Sequence, residues 1–165
     1  MKTINNIKII GVDAGYGNMK TANFCFRTGL TAYDTEPLFT KNMPVYEGHY
    51  YLIGEGHKTY TAEKTLDEDY YILTLAAIAM ELNRERLTEA DVYLAAGLPL
   101  SWVLEQKDDY LAYLLKNQEV EFSLKGVQYK ICIVGADILP QGYAAIADKL
   151  DDLKGMTLLC DIGNG

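Results

Sequence analysis

The residues best suited to chemistry lie together near the N-terminus: Asp13-Ala14-Gly15-Tyr16-Gly17-Asn18-Met19-Lys20. Two glycines flanking a single residue permit a tight turn whose backbone amides converge on one point, an arrangement that cradles phosphate oxygens. Positive φ and close backbone approach are the expected reasons for Gly15 and Gly17. Asp13 alone would repel a phosphate, but a hydrated Mg²⁺ between the two turns that repulsion into attraction. Lys20 offers a compact positive charge to the same group. The pattern DxGxG recurs as Asp161-Ile162-Gly163-Asn164-Gly165, again after an apolar run. Two such turns can clamp a polyphosphate from opposite sides, with both aspartates facing one cation.

Other phosphate loops fit less well. The Walker loop, GxxxxGK followed by Ser or Thr, is absent from the chain. The dinucleotide fingerprint GxGxxG lacks its third glycine here, because Gly15 and Gly17 are followed by Asn18-Met19-Lys20. Both loops would open a helix, whereas the residues after Asn18 read as a strand.

The elements that must carry these residues follow from hydrophobic periodicity. Residues 7–12 read as a buried strand, 13–18 as the turn, and 19–26 as a return strand that completes a hairpin. A third strand is expected over 28–33. Prolines and glycines punctuate 34–69, where 45–53 reads as a hairpin turning at Glu47-Gly48-His49. Tyr71, Leu75, Ile78, Ala79 and Leu82 recur at helical spacing and predict a helix over 68–87, with Asp67 as its N-cap. A strand over 91–97 and a helix over 102–116 capped by Ser101 come next. Then follow a hairpin of 119–124 with 127–134, a helix over 139–150 entered through Pro140, and a strand over 156–160. This order predicts a mixed α/β fold whose sheet opens antiparallel and continues in β–α units.

The chain has 165 residues, 49% apolar and 23% charged, which suits a globular domain with a real core. A formal net charge of -8 repels nucleic-acid backbones and anionic membranes. No apolar run approaches the roughly 20 residues that cross a bilayer. Cys25, Cys132 and Cys160 are far apart, odd in number and set in apolar runs, and so read as buried, reduced thiols of a cytosolic protein. His49 and His57 read as solvated side chains, and Tyr50, Tyr51, Tyr70 and Tyr71 as core-edge or interface residues.

Taken together, GVDAGYGNMK, YYLIGEGH, AAGLPLSW, LPQGYAA and LLCDIGNG, in that order, resemble the actin/Hsp70/sugar-kinase superfamily. Within it the chain looks most like the ParM/StbA-type actin-like plasmid-segregation ATPases, over essentially its whole length. The resemblance implies an RNase H-like mixed sheet flanked by helices, the first actin-like domain, over residues 1–155. A core of about 1–33 and 88–155 would carry a small β-rich subdomain insertion at about 34–87. Residues 156–165 would begin a second domain cut off within its first turn, making the chain a truncated N-terminal portion.

Carried over residue by residue, the resemblance assigns Mg²⁺ to Asp13 and Asp161 through water. Backbone amides of Gly15, Tyr16, Gly17 and Asn18, together with Lys20, would hold the phosphates of ATP. Gln141 would orient the attacking water, with Asp13 and Asp161 completing the catalytic set, and Gly163 and Gly165 would belong to the opposite jaw. The expected whole protein is a cytoplasmic, filament-forming ATPase that reaches DNA through an adaptor protein. The truncated chain alone would be catalytically inactive. The alternatives are a sugar- or acetate-type kinase, a polyphosphatase, or a scaffold or dimer that binds no nucleotide.

Overall fold

A computed structural model describes residues 1–38, 43–55 and 63–159. Among the described residues, ten strands form one mixed sheet: β1 (Lys2–Ile4), β2 (Ile7–Ala14), β3 (Asn18–Lys20), β4 (Cys25–Arg27), β5 (Leu30–Tyr33), β6 (Pro44–Tyr46), β7 (His49–Ile53), β8 (Glu89–Leu98), β9 (Glu119–Leu124) and β10 (Val127–Pro140). The helices are α1 (Asp69–Arg84), α2 (Leu100–Leu114) and the short α3 (Tyr143–Ile146), which runs into a 3₁₀ segment, Ala147–Asp152. Strand order is β4-β3-β2-β8-β10-β9-β6-β7-β5, with β1 paired to β2.

The central strands β2, β8 and β10 are mutually parallel, and their flanking partners are antiparallel. Along them the buried side chains alternate: Ile10, Val12 and Ala14; Val92, Leu94, Ala96 and Leu98; Ile131, Ile133, Ala136 and Ile138. A period of two places these residues on one face of the sheet. The predicted mixed α/β class is observed, with antiparallel strands opening the sheet and β–α units continuing it. Through the β6–β9 pairing, β5, β6 and β7 extend the same sheet. The β6–β7 turn lies at Glu47 and Gly48, both at positive φ, as a tight two-residue hairpin loop requires.

Helix α1 is buried continuously from Tyr70 to Ala79, and again at Glu81 and Leu82. That is broader than the single apolar face the spacing predicts, and it is the signature of an interior helix. Its start is held differently from expectation. The N-cap position is Glu68, with no side-chain cap. The Asp67 carboxylate accepts from the Asp69 amide at 3.0 Å, and the Tyr71 amide donates to the Tyr113 hydroxyl of α2 at 2.7 Å. Around this contact the rings of Tyr46, Tyr71, Tyr113 and Tyr110 pack in sequence at centroid distances of 5.9–6.1 Å. Tyr70 and Tyr71 are therefore core residues rather than core-edge ones.

Several other boundaries differ from those predicted. The return strand over 19–26 is interrupted at Thr21–Phe24, where the Thr21 amide donates to the Phe24 carbonyl at 2.8 Å and the chain turns into β4. Ser101 does not cap α2, which begins two residues earlier than predicted, at Leu100, with Pro99 in the cap position. The predicted helix over 139–150 starts late because β10 runs through to Pro140, held to the end of its length by parallel pairing with β8. An irregularity in register between Ile133 and Gly135 lets Gly135 lie against the Tyr93 ring, where a Cβ would stand 2.7 Å from Cε2. Residues 156–159 form no strand and expose Met156 and Leu158. Cys25 and Cys132 are free thiols; Cys132 is half-buried, but Cys25 is exposed because β4 is an edge strand, contrary to the burial its apolar neighbours predict. Exposed His49 lies 3.4 Å from Asp34. His57 and Cys160 fall outside the described residues.

Candidate functional site

In a parallel sheet, all strand carboxyl ends open on one edge, and ligands bind there because loops leave in different directions and a crevice remains. Here the ends of β2, β8 and β10 meet at a cleft of about 700 Å³. Its walls include Asp13 from β2, Gly97 from β8, Gln141 just after β10, and Lys20, Thr21 and Ala22 from the end of β3. Register explains the convergence: Val12 pairs with Ala96, and Gly97 pairs with Leu139.

Asp13 is the hub. Gln141 donates from Nε2 to its Oδ1 at 3.1 Å, and the Lys20 ammonium lies 3.7 Å from its Oδ2. The Asp13 and Lys20 side chains are both about half-exposed, so this ion pair is weak and easily exchanged. Gln141 is not a helix residue, as the sequence suggested. It sits between the last residue of β10 and Gly142, whose φ of 81° turns the chain away. The Gln141 amide donates to Leu98 at 2.7 Å. Its side chain reaches Asp13 across Gly97, where a Cβ would stand 3.0 Å from Gln141 Cγ. We expect Gly97→Ala to break the Gln141–Asp13 contact at a stability cost of roughly 1–3 kcal/mol from overpacking. The Gln141 side-chain amide resonances and a thermal melt read the two effects separately.

The hairpin turn itself is built differently from expectation. Neither Gly15 nor Gly17 has positive φ. Glycine at 15 answers to close approach alone, since a Cβ there would stand 2.8 Å from the Asn18 carbonyl oxygen. The Gly15 amide donates to that carbonyl at 3.1 Å and so closes the turn instead of facing outward. Tyr16 packs edge-on against Trp102 of α2, at 6.2 Å and 87°. Asn18 begins β3 and pairs with Arg27. Asp161, Gly163 and Gly165 lie outside the described residues.

Two residues that the sequence did not single out support this site from behind. Thr28 is buried; its hydroxyl donates to the Gly15 carbonyl at 2.7 Å and its amide to that of Gly17 at 3.1 Å. Lys64 is 2% exposed, and its ammonium donates to the Ala14 carbonyl and, at 3.4 Å, to that of Gly97. It thereby ties β2 to β8 directly beneath Asp13, over the rings of Tyr70 and Tyr110. Burial lowers its pKa to about 8 against the opposing pull of Asp13. Neither type nor spacing separates Lys64 from a surface lysine; only its burial does.

Among the described residues no group of three His, Cys, Asp or Glu could enclose a metal ion. Among the described residues that line the cleft, Asp13 is the one carboxylate. That chemistry suits Mg²⁺, which keeps most of its waters and takes one or two carboxylates together with substrate phosphates.

Comparison with known proteins places this geometry in a family. No curated protein matches the chain. The psk41 ParM protein in its apo form shares 16% identity over 88% of this chain and 53% of that one, with a TM-score of 0.68. The AlfA filament bound to AMPPNP shares 16% over 85% and 56%, with a TM-score of 0.66. An archaeal actin homolog in complex with ADP shares 17% over 88% and 47%, with a TM-score of 0.65. At such identities the likeness is one of fold, and the chain spans about half the length of these structures. The family description "Actin like proteins N terminal domain" matches residues 11–143, most of the sequence. The chain therefore belongs to the actin-like proteins, as their N-terminal domain.

Proposed function

We propose that this chain forms one jaw of the ATP site of a filament-forming actin-like ATPase of the plasmid-segregation type. The observation that carries this reading is the convergence of Asp13, Lys20 and Gln141 on one cleft at the carboxyl ends of three parallel strands. Two of the structural relatives bear nucleotides in their descriptions, AMPPNP and ADP, and one of these is a filament.

On this reading Mg²⁺, when bound with ATP, neutralises phosphate charge. Asp13 would hold it through water. Lys20 leaves its weak pairing with Asp13 and turns to the phosphates. Gln141, oriented by its bond to Asp13, presents its amide to the attacking water, the positioning work a glutamine does in other nucleotidases. Lys64, fixed beneath the strand ends, adds a buried positive charge behind the site. The opposite jaw would come from Asp161, Gly163, Gly165 and residues beyond. Self-association into filaments, contact with DNA through an adaptor and a cytoplasmic location belong to the same proposal. The acidic charge of -8 supports the indirect route to DNA. No helix among the described residues is long and apolar enough to cross a membrane.

Calorimetric titration of this chain with Mg-ATP tests the reading. Micromolar to low-millimolar binding that disappears in Asp13→Ala supports it. Absence of binding at millimolar nucleotide would remove the jaw from consideration and favour a scaffold.

A further inference from the structure

Glu81 is a carboxylate on α1 that is only 2% exposed, within a helix whose buried residues are otherwise almost all apolar. Burying a charge this way is costly unless every lone pair finds a donor. Both oxygens do. Thr21 Oγ1 donates to Oε1 at 2.6 Å, the Asn23 amide donates to Oε1 at 3.0 Å, and Asn23 Nδ2 donates to Oε2 at 2.8 Å. Burial pushes the carboxyl pKa up. The bonds from Thr21 and Asn23, with help from the N-terminal ammonium, outweigh that and hold it below the ordinary value. Glu81 is therefore an anion at neutral pH.

The partners of Glu81 are more informative than its burial. Thr21 and Asn23 belong to the turn Thr21–Phe24 that interrupts the return strand. Thr21 Oγ1 also accepts from the Phe24 amide at 3.1 Å, so one hydroxyl both closes the turn and docks it on the helix. Thr21 and Ala22, with Lys20 before them, line one wall of the cleft. The strand carrying Lys20 is short: β3 has three residues, of which Met19 and Lys20 pair with β2, and its other neighbour, β4, is itself a three-residue strand at the sheet edge. A three-residue strand holds its own end weakly, because few ladder bonds resist fraying. A charge-assisted anchor placed immediately after Lys20 makes up for that.

We propose that Glu81 is a positioning residue that sets the cleft wall formed by residues 20–22, acting through Thr21 and Asn23 without touching the ligand. Its consequence for nucleotide binding rests on the ATP-site reading above; the positioning itself does not. The role links helix α1, packed in the core, to the cation that faces the phosphates.

The test uses the whole chain with Glu81→Gln, which keeps the size of the side chain and removes its charge. Asn23→Ala, at an exposed position, serves if Glu81→Gln does not fold. Amide hydrogen exchange is followed without nucleotide, comparing residues 20–24 with Leu94 in β8. Loss of a charge-assisted hydrogen bond predicts roughly 10–100-fold faster exchange over 20–24, with Leu94 unchanged. Equal exchange in wild type and variant overturns the proposal. Mg-ADP affinity, read in parallel, is expected to fall roughly tenfold with a faster off-rate, the weaker end of the same range. Faster exchange with unchanged affinity would also overturn it, since the wall would then not govern the site. If the wild type binds no nucleotide, the ATP-site reading fails, and exchange alone decides whether Glu81 positions the wall.

Discussion

Titration to high pH should unfold this chain in a steep transition above pH 10, with stability first rising between about pH 8 and pH 10. The descending limb comes from tyrosines. Tyr70, Tyr71 and Tyr110 are each 1% exposed. Burial, reinforced by nearby Asp67 and Asp69 for Tyr70, pushes the Tyr70 hydroxyl up to about 12; burial does the same for Tyr71 and raises Tyr110 further still. Above pH 10 the unfolded chain releases these protons while the folded chain keeps them, so stability falls with pH. Each shifted group contributes about 1.4 kcal/mol per pH unit, hence about 4 kcal/mol per unit for three. A domain stable by roughly 5–15 kcal/mol cannot absorb that much beyond about one to four units.

The ascending limb belongs to Lys64. Its amine is charged at neutral pH in both states, but above about 8 the folded chain releases the proton while the unfolded chain holds it to about 10.5. The unfolded state then binds more protons, and stability rises by at most about 3 kcal/mol across the interval. Denaturant midpoints measured from pH 7 to 12 check both limbs. Lys64→Met should flatten the rise, and Tyr110→Phe should make the fall less steep. A midpoint that declines steadily from pH 7, identical in wild type and Lys64→Met, would contradict the account.

The second large effect is expected at Gln141. In a polypeptide carrying both jaws, Gln141→Ala should lower the turnover of ATP by roughly 10²–10⁴-fold, the range for a group that positions or relays a proton in the reaction. Mg-ATP affinity should change little, because the proposed work of Gln141 is on water and not on phosphate. Phosphate release and nucleotide titration, run side by side, separate these quantities. Equal losses in binding and turnover would mean that Gln141 shapes the cleft through Asp13, to which its Nε2 donates at 3.1 Å, and orients no water. Phosphate release without any acceptor would also argue against the kinase alternative.

Much of this organisation was legible from residue types in order. The apolar run over residues 7–12, the pair Glu47-Gly48 and the spacing of Tyr71, Leu75, Ile78 and Leu82 report local preferences, which hold wherever the backbone needs no distant partner. Asp13, Lys20 and Gln141 were likewise readable as a set, through a family resemblance covering nearly the whole chain. What failed had a common cause. Cys25 resembles a core residue by its neighbours, yet β4 ends the sheet and leaves it exposed. Residues 135–140 favour no strand locally, but β8 lies alongside and extends β10 to Pro140. The start of α1 relies on a hydroxyl from Tyr113, far along the chain, as well as on the local carboxylate of Asp67.

The two buried charges make the division clearest. Nothing about Lys64 or Glu81 as residue types distinguishes them from solvated ones, because local sequence carries no information on which carbonyls or hydroxyls will surround a side chain. Their roles exist only once β2 and β8 end side by side and the Thr21–Phe24 turn docks on α1. Periodicity and motif are enough for the class of fold, the hairpin and the candidate chemistry of Asp13 and Lys20, while Gln141 enters only through the family resemblance. Which groups lie beneath and beside them depends on the assembled fold, because burial and hydrogen bonding come from segments far apart in the chain, such as Ala14 with Lys64 and Thr21 with Glu81.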